Sequence, residues 1–425
     1  MLKLPSFWRA LLGAAFFAAV PALAQDSGAL LDVLVRKGVL TAQEAENVRA
    51  ELARDSAAAV VGSVSGGKST HSVALSGRLQ LQYAGLSTDQ QLPAVNQFFL
   101  RRVYLGVRAG VGPSWTADFN YDFAGGNFDK AFMEWSGYVG DAPLTLDFGL
   151  RKVNLGYEEY TSSGSLKAIE RSPVTRYFAE PNNGRRLGAA SYRIGAFLEG
   201  GSLDARKGKS EGFFYGAAIT NPQRTETTLD ATFDGAKFSS GTNYQNFNHP
   251  AFWANLGYTG LLSGGRYQFG AAAGSLPDQG GPGSANLGKG YDLTVYSVFG
   301  DLTLGRFNLA GEYLAGEVDA GVNTIRDARP AGYWVQPSFL FTEKIEGVAR
   351  YSSVDADGRG IRASDGVRSA PAVRTGQRLE ELYLGFNYYF VNQDVKLQVG
   401  YVQGKTSDGA SEKVSGVRSQ LQVNF

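Results

Sequence analysis

The chain has 425 residues, of which 55 are glycine and 12% are aromatic, and its formal net charge is +1. A net charge this close to zero gives no overall attraction to nucleic acid, and we expect no nucleic-acid partner. The sequence has no cysteine, which excludes disulfides and thiolate metal sites, and its two histidines argue against a multi-histidine metal site. We therefore expect neither a metal nor another cofactor.

Residues 1–24 have the pattern of a secretory signal peptide. Lys3 and Arg9 precede an apolar run, Ala10–Val20, and Pro21–Ala24 supplies an Ala-x-Ala cleavage site. The apolar run is shorter than the roughly 20 residues that a membrane-spanning helix needs. We therefore predict that the chain is exported and that this segment is removed.

Residues 25–56 predict a short α-helical module. Leucines at helical spacing indicate a first helix that ends at Gly38, and Thr41 with Glu44 forms a capping box for a second. Two helices this short bury too little surface to be stable alone, so a marginally ordered periplasmic spacer is the alternative interpretation. The Ala-, Gly- and Ser-rich residues 57–70 predict a linker.

Residues 71–425 alternate apolar and polar side chains with the period of a β-strand. In the first strand, Leu79, Leu81 and Tyr83 share one face, and Arg78, Gln80 and Gln82 share the other. Strands of about ten to thirteen residues can cross a membrane when tilted, and here short turns alternate with long polar loops. We predict an all-β fold, a transmembrane antiparallel β-barrel of about 16 strands. A secreted soluble β protein, the alternative, would have to cover both strand faces.

The segment 152–186 interrupts the strand pattern with a long loop. It is polar and basic, with glycines at intervals, and loops of this length inside a compact domain are usually functional. We predict that this loop folds into the barrel and forms a constriction.

Arginines gather on the polar face of the first two strands. Arg78, Arg102 and Arg108 share that face, and clustered guanidinium groups in a narrow lumen raise the local concentration of anions. Carboxylates also lie on the polar face, so pairing of these arginines with lumen acids is the alternative. Arg101 falls on the apolar side of the alternation, which favours a rim or subunit contact.

Several motifs in order resemble the phosphate-selective porin O/P family of outer-membrane porins. The motifs are Gly77-Arg78-Leu79-Gln80, Phe98–Gly106, Asp118–Phe123, Phe128–Ala131, Phe148–Arg151, Thr161-Ser162-Ser163, Ala168–Arg171 and a last strand that ends in Phe425. The matches concentrate in residues 72–190, and the C-terminal half matches only in pattern.

The resemblance implies a homotrimer of sixteen-stranded barrels in the lipid of the bacterial outer membrane. Such a barrel passes small inorganic anions, including phosphate or polyphosphate, along a ladder of arginines that Arg78, Arg101 and Arg102 match. The family's constriction arginine matches Arg171. Its binding-loop lysine falls at Gly164, so Lys167, three residues on, is the candidate substitute, and specific phosphate binding stays open.

The sequence contains no motif that predicts an enzyme. Nucleophile-elbow and P-loop signatures are absent, and the neighbouring Glu158 and Glu159 are more simply solvated loop residues. We therefore expect no catalytic residues. The alternative function is a barrel that acts mainly as an envelope tether or scaffold through residues 25–56.

Overall fold

The structure is a computed structural model that describes residues 70–140, 142–222, 249–279, 291–319 and 327–425. The predicted signal peptide, the helical module and all but the last residue of the predicted linker lie outside these residues and stay predictions.

Sixteen antiparallel strands form a closed barrel, in which each strand pairs with its sequence neighbours and β1 pairs with β16. The strands are β1 Thr70–Thr88, β2 Val95–Val111, β3 Trp115–Asp122, β4 Asn127–Val139, β5 Ala142–Lys152, β6 Tyr192–Gly201, β7 Gly212–Thr220, β8 Ala251–Leu262, β9 Gly265–Gln279, β10 Tyr291–Leu304, β11 Phe307–Asp319, β12 Ala331–Leu340, β13 Ile345–Asp355, β14 Arg378–Val391, β15 Val395–Ser407 and β16 Glu412–Asn424. The predicted architecture and strand number are confirmed.

The alternation along each strand is inverted relative to a soluble protein. In β16, Leu421 and Val417 are 44% and 47% exposed, whereas Gln420 and Gln422 are 1% and 0% exposed. Apolar side chains therefore cover the outside of the barrel, and polar side chains fill its interior. This is the pattern of a transmembrane barrel, because lipid replaces water around the outer face.

The two ends of the barrel differ in their connections. At one end, called the turn end below, strands are joined by short turns such as 263–264 and 305–306. Gly264 and Gly305 hold φ values of 79° and 53°, which an L side chain adopts only with strain. The long connections, including residues 153–191 and 356–377, leave the other end, called the loop end.

Four short helices lie in the described connections: α1 Tyr157–Tyr160, α2 Pro173–Ala179, α3 Leu203–Arg206 and α4 Ala363–Gly366. None of the helices in the described ranges has the length and apolar character of a membrane span. In α2, Val174 and Phe178 belong to a buried apolar cluster that also contains Ile361 and Val367 from the 356–377 connection. This packing holds residues 153–191, called the inner loop below, inside the barrel.

Candidate anion pathway

A cavity of about 1040 Å³ lies inside the barrel between the inner loop and the inward faces of β1–β10. Its wall contributes Arg78, Arg108, Lys130, Arg151 and Arg266, and the inner loop contributes the hydroxyls of Thr161, Ser162 and Ser163. The cavity therefore presents both cations and neutral hydrogen-bonding groups. Carboxylates also line it, so the position of each charge relative to its partners decides what the cavity attracts.

One buried carboxylate holds the beginning of the inner loop. Glu312 of β11 accepts hydrogen bonds from the backbone nitrogens of Tyr157 at 2.7 Å and Glu158 at 3.2 Å. The Glu158 carboxylate in turn accepts from Arg350 of β13 at 2.9 Å. Because these groups are buried and paired, they fix the loop where it enters the lumen.

Side-chain amides of the wall hold the middle of the inner loop. Gln422 Nε2 donates to the Gly164 carbonyl at 3.0 Å. Gln398 Nε2 and Asn387 Nδ2 both donate to the Lys167 carbonyl, at 2.9 and 3.0 Å. Amides do not titrate, so this attachment is independent of pH. It sets the height at which the Ser162 and Ser163 hydroxyls face the cavity.

Arg78 lies where the inner loop meets β1. Its Nη1 donates to Ser163 Oγ at 2.7 Å, its Nη2 to Ser162 Oγ at 3.1 Å, and its Nε to Asn424 Oδ1 at 2.8 Å. All three partners, within the described chain, are neutral. The positive charge of Arg78 is thus held in place without being balanced by a carboxylate in contact with it.

Gly164 makes room for the Arg78 guanidinium. A Cβ atom at this position would lie 2.5 Å from Arg78 Nη2 and 2.7 Å from its Cζ, which is closer than two such atoms can approach. The Arg78 guanidinium therefore occupies the space next to the backbone of Gly164, the position at which the family resemblance implies a lysine.

A β-bulge changes the orientation of Arg101. Gln80 of β1 pairs with Arg102, but the next residue, Leu81, pairs with Leu100, so Arg101 is the extra residue of β2. Bulges re-aim side chains in this way. The simple alternation predicted an outward Arg101, and that prediction is wrong because the bulge turns this side chain into the lumen.

Arg101 and Arg102 have different partners in the lumen. Arg101 forms a two-point ion pair with Glu170 of the inner loop, at 2.6 and 3.2 Å, and Arg368 contacts the same carboxylate at 3.1 Å. Burial alone would raise the pKa of Glu170, but Arg101 and Arg368 outweigh it and hold this pKa well below its usual range. Arg102 is buried and donates to Gln80 Oε1 at 2.8 Å.

Arg108 lies closer to the turn end, three residues before β2 ends at Val111, and is paired with carboxylates. It contacts Glu134 at 2.7 Å and Asp118 at 3.4 Å, and Lys130 contacts the same Asp118 at 2.7 Å. Two cations and two carboxylates form one neutral group. Its contribution to anion attraction is therefore smaller than the number of cations suggests.

Lys167 and Arg171 are each paired with a carboxylate. Lys167 contacts Glu346 at 2.7 Å and lines a separate cavity of about 270 Å³ between the inner loop and β10–β13. Arg171 pairs with Glu159 at 3.0 Å and donates to the Thr161 carbonyl at 3.0 Å. Arg171 thus braces the inner loop from within, and an anion contact by either side chain stays a prediction.

Two features of the pathway were not predicted. Glu170 forms ion pairs with Arg101 and Arg368. Its position in the sequence, directly before Arg171, did not indicate these partners. The connection 202–211 at the turn end also enters the cavity, and nothing in its length or composition marked it. In the described part of the chain, no group of three or more His, Asp or Glu side chains is placed to hold a metal ion.

The comparison with known families decides the assignment. The family model described as "Phosphate-selective porin O and P" matches residues 73–425. The chain belongs to this porin family. The resemblance of its motifs is confirmed, and the match extends into the C-terminal half.

Relatives of this porin agree with its fold. Porin O of Pseudomonas aeruginosa is 26% identical over 399 residues, which cover 83% of this chain and 88% of that protein. The outer-membrane channel DcaP of Acinetobacter baumannii has a TM-score of 0.53 at 13% identity and covers 85% of this chain and 99% of its own. An anion-selective porin from Comamonas acidovorans has a TM-score of 0.52 at 13% identity, with 83% and 99% covered. The two solved structures establish the barrel fold alone.

Family membership establishes the cellular location of the protein and the orientation of the barrel in the membrane. The protein is an outer-membrane porin, a channel rather than an enzyme by family. Bacterial outer-membrane barrels have short periplasmic turns and longer extracellular loops. The turn end therefore faces the periplasm, and the loop end faces the outside.

Proposed function

We propose that this porin is a passive diffusion channel for small inorganic anions, with phosphate among them, and that Arg78 is the cation they contact. The observation that carries the proposal is the environment of Arg78, whose three hydrogen-bond partners in the described chain are neutral and which lines the main cavity. A charge held among neutral partners attracts a mobile counter-ion, because no contacting carboxylate offsets it.

The other cations that the strands contribute to the cavity wall support this choice by contrast. Each is in contact with a carboxylate: Arg108 with Glu134, Lys130 with Asp118, Arg151 with Glu199, Lys152 with Glu159 and Arg266 with Asp301. Their fields are largely cancelled within a few ångströms. Arg78 differs from all of them, so we assign it the leading role among the predicted pathway residues.

The hydroxyls beside Arg78 complete an anion contact. Ser162 and Ser163 accept hydrogen bonds from the guanidinium through their oxygens, which leaves the hydroxyl protons free to donate to an anion. One arginine and two hydroxyls suit an oxyanion such as phosphate as well as chloride. We propose that this contact is weak enough to release the ion, and that it replaces the expected lysine more directly than Lys167 does.

The outer face supports the proposed environment of the barrel. Exposed apolar side chains surround it, for example Phe98, Phe119, Leu256, Phe386 and Leu421. We propose that outer-membrane lipid covers most of this surface, and that the porin assembles as the homotrimer that its family resemblance implies. The tether alternative depends on residues 25–56, which lie outside the described chain, and no observation on the barrel favours it.

The zero-current potential of the purified porin in a planar bilayer tests the proposal. With a tenfold gradient of potassium chloride across the bilayer, an anion channel develops a potential of the sign set by chloride. We expect chloride to be more permeant than potassium, and phosphate added to both sides to reduce the chloride current. A potential set by potassium would refute the proposal.

A further inference from the structure

The connection between β6 and β7 enters the barrel from the periplasmic end. The backbone carbonyl of Ala205 accepts hydrogen bonds from Thr259 Oγ1 at 2.6 Å and from Gln268 Nε2 at 2.9 Å. Thr259 of β8 and Gln268 of β9 face the lumen and are 0% and 5% exposed. Residues 202–211, called the inner turn below, are therefore fastened to the inside of the wall.

The anchors place the inner turn well above the rim. Thr259 lies three residues before β8 ends at Leu262, and Gln268 lies three residues after β9 begins at Gly265. At about 3.3 Å per residue, the anchored carbonyl lies roughly 10 Å along the strands from the turn end of β8 and β9, level with Gly212, where β7 begins. The inner turn thus fills part of the cross-section of the lumen that an ordinary periplasmic turn leaves open.

The tip of the inner turn fits closely against β9. Gly208 has a φ of 68°, and a Cβ atom there would lie 2.7 Å from Arg266 Nη1. Only glycine therefore fits this conformation and this contact. Arg266 is itself held by Asp301 at 2.8 Å, so the tip rests on a fixed side chain.

The inner turn carries positive charge into the cavity. Leu203, Arg206 and Lys207 all line it. Arg206 donates to Asn255 Oδ1 at 3.0 Å, and its nearest ion-pair partner is Glu199 at 3.8 Å. Arg151 holds that same carboxylate at 2.5 Å, so little of its charge is left for Arg206.

Lys207 is the more accessible of the two cations. Its side chain is exposed to the cavity and forms no ion pair within the described ranges. Lys209, two residues on, is also exposed but does not line the cavity. The inner turn therefore provides one lysine that faces the pathway and one that serves as its control.

We propose that the inner turn is a second, periplasmic constriction of this porin, and that Arg206 and Lys207 raise the anion concentration at its exit. This inference rests on the anion passage proposed above and adds a second selective element in series with Arg78. Opposed walls of a narrow lumen focus the field of such charges. Selectivity is then set at two heights of the barrel, by the inner loop and by the inner turn.

Single-cysteine variants test the charge of the inner turn, because the chain has no cysteine of its own. Lys207→Cys and Lys209→Cys are each exposed to a sulfonated methanethiosulfonate, whose sulfinate the cysteine thiolate displaces to form a mixed disulfide. At Lys207→Cys the added negative charge should lower chloride current about twofold in 0.1 M salt, and much less in 1 M salt, where the Debye length falls from about 10 Å to about 3 Å. Modification of Lys209→Cys should leave the current unchanged.

A second pair of variants tests the constriction itself. Gln268→Leu removes an anchor of the inner turn, and Gln336→Leu removes another buried, inward amide that lies away from it. We expect a larger and noisier unit conductance in 1 M salt from Gln268→Leu alone. The heat-modifiable mobility of the folded barrel shows that each variant has folded.

The outcomes separate this inference from the proposed function. If the unmodified porin selects potassium, the proposed function fails and the inner turn has no anion to concentrate. If the porin selects chloride, but modification at Lys207→Cys and Lys209→Cys changes the current equally, the inference fails alone. Should Gln268→Leu not fold, the cysteine pair still decides, since both lysines are exposed and outside the anchoring contacts.

Discussion

Arg78→Gln should lower the anion selectivity of this porin more than neutralisation of any other cation that the strands contribute to the main cavity. The substitution removes one positive charge whose hydrogen-bond partners in the described chain are all neutral. Two unit charges about 4 Å apart interact by about 1 kcal/mol in bulk water and by about 4 kcal/mol at an effective dielectric constant of 20. Even the lower figure corresponds to a roughly fivefold fall in the chloride-to-potassium permeability ratio.

The zero-current potential in a tenfold salt gradient measures this ratio directly. Arg329→Gln is the matched control, because Arg329 is an extracellular arginine whose side chain is 82% exposed and lies outside the cavity. Arg78→Lys keeps the charge and should retain most of the selectivity. If Arg78→Gln and Arg329→Gln change the ratio equally, Arg78 does not act on the permeating ion and the reasoning is refuted.

Three further changes follow from the same contacts. Gly164→Ala should displace the Arg78 guanidinium, whose Nη2 would lie 2.5 Å from the new Cβ, and so reduce selectivity without removing a charge. Lys167→Gln should leave chloride current through the main cavity unchanged, since Lys167 lines the separate smaller cavity. Glu170→Gln should destabilise the folded barrel by about 2 kcal/mol in urea unfolding followed by gel mobility, because Arg101 loses its ion-pair partner and Arg368 keeps Glu180 as its partner. In the unsubstituted porin, the stability that Glu170 supplies should be constant above about pH 4.5 and should decrease progressively as the pH falls from there through the lowered folded-state pKa.

Each of these outcomes can be contradicted. Unchanged selectivity in Gly164→Ala would mean that the guanidinium position is unimportant. A block of chloride current by phosphate that disappears in Lys167→Gln would move the anion site to the side cavity. An equal dependence of stability on pH below pH 4.5 in the parent and in Glu170→Gln would show that folding does not lower the pKa of Glu170.

The barrel could be predicted from the sequence because its signal is local and repeated. Polar and apolar residues alternate in β16 as they do in β1, and a side chain's face follows from its position in that alternation. The orientation of Arg101 could not be predicted this way. Its bulge exists only because Leu81 pairs with Leu100, a relation between two strands that neither strand shows alone.

The charge balance of the pathway could not be predicted from the sequence for a similar reason. Whether a lumen cation is free or neutralised depends on partners that are distant in the chain, as Lys167 and Glu346 show. The absence of a side chain at Gly164 was visible in the sequence. Its consequence was not, because the side chain that fills the space comes from β1. Likewise, the inward course of residues 202–211 depends on Thr259 and Gln268 across the wall.

A bromide-soaked crystal of the mature porin, measured at the bromine absorption edge, tests the central claim most directly. Bromide follows chloride through anion channels, and its anomalous signal distinguishes it from water and from lighter ions. We predict an anomalous peak within hydrogen-bonding distance of the Arg78 guanidinium and of the Ser162 and Ser163 hydroxyls. Peaks at Lys167 or Arg171 with none at Arg78 would contradict the claim.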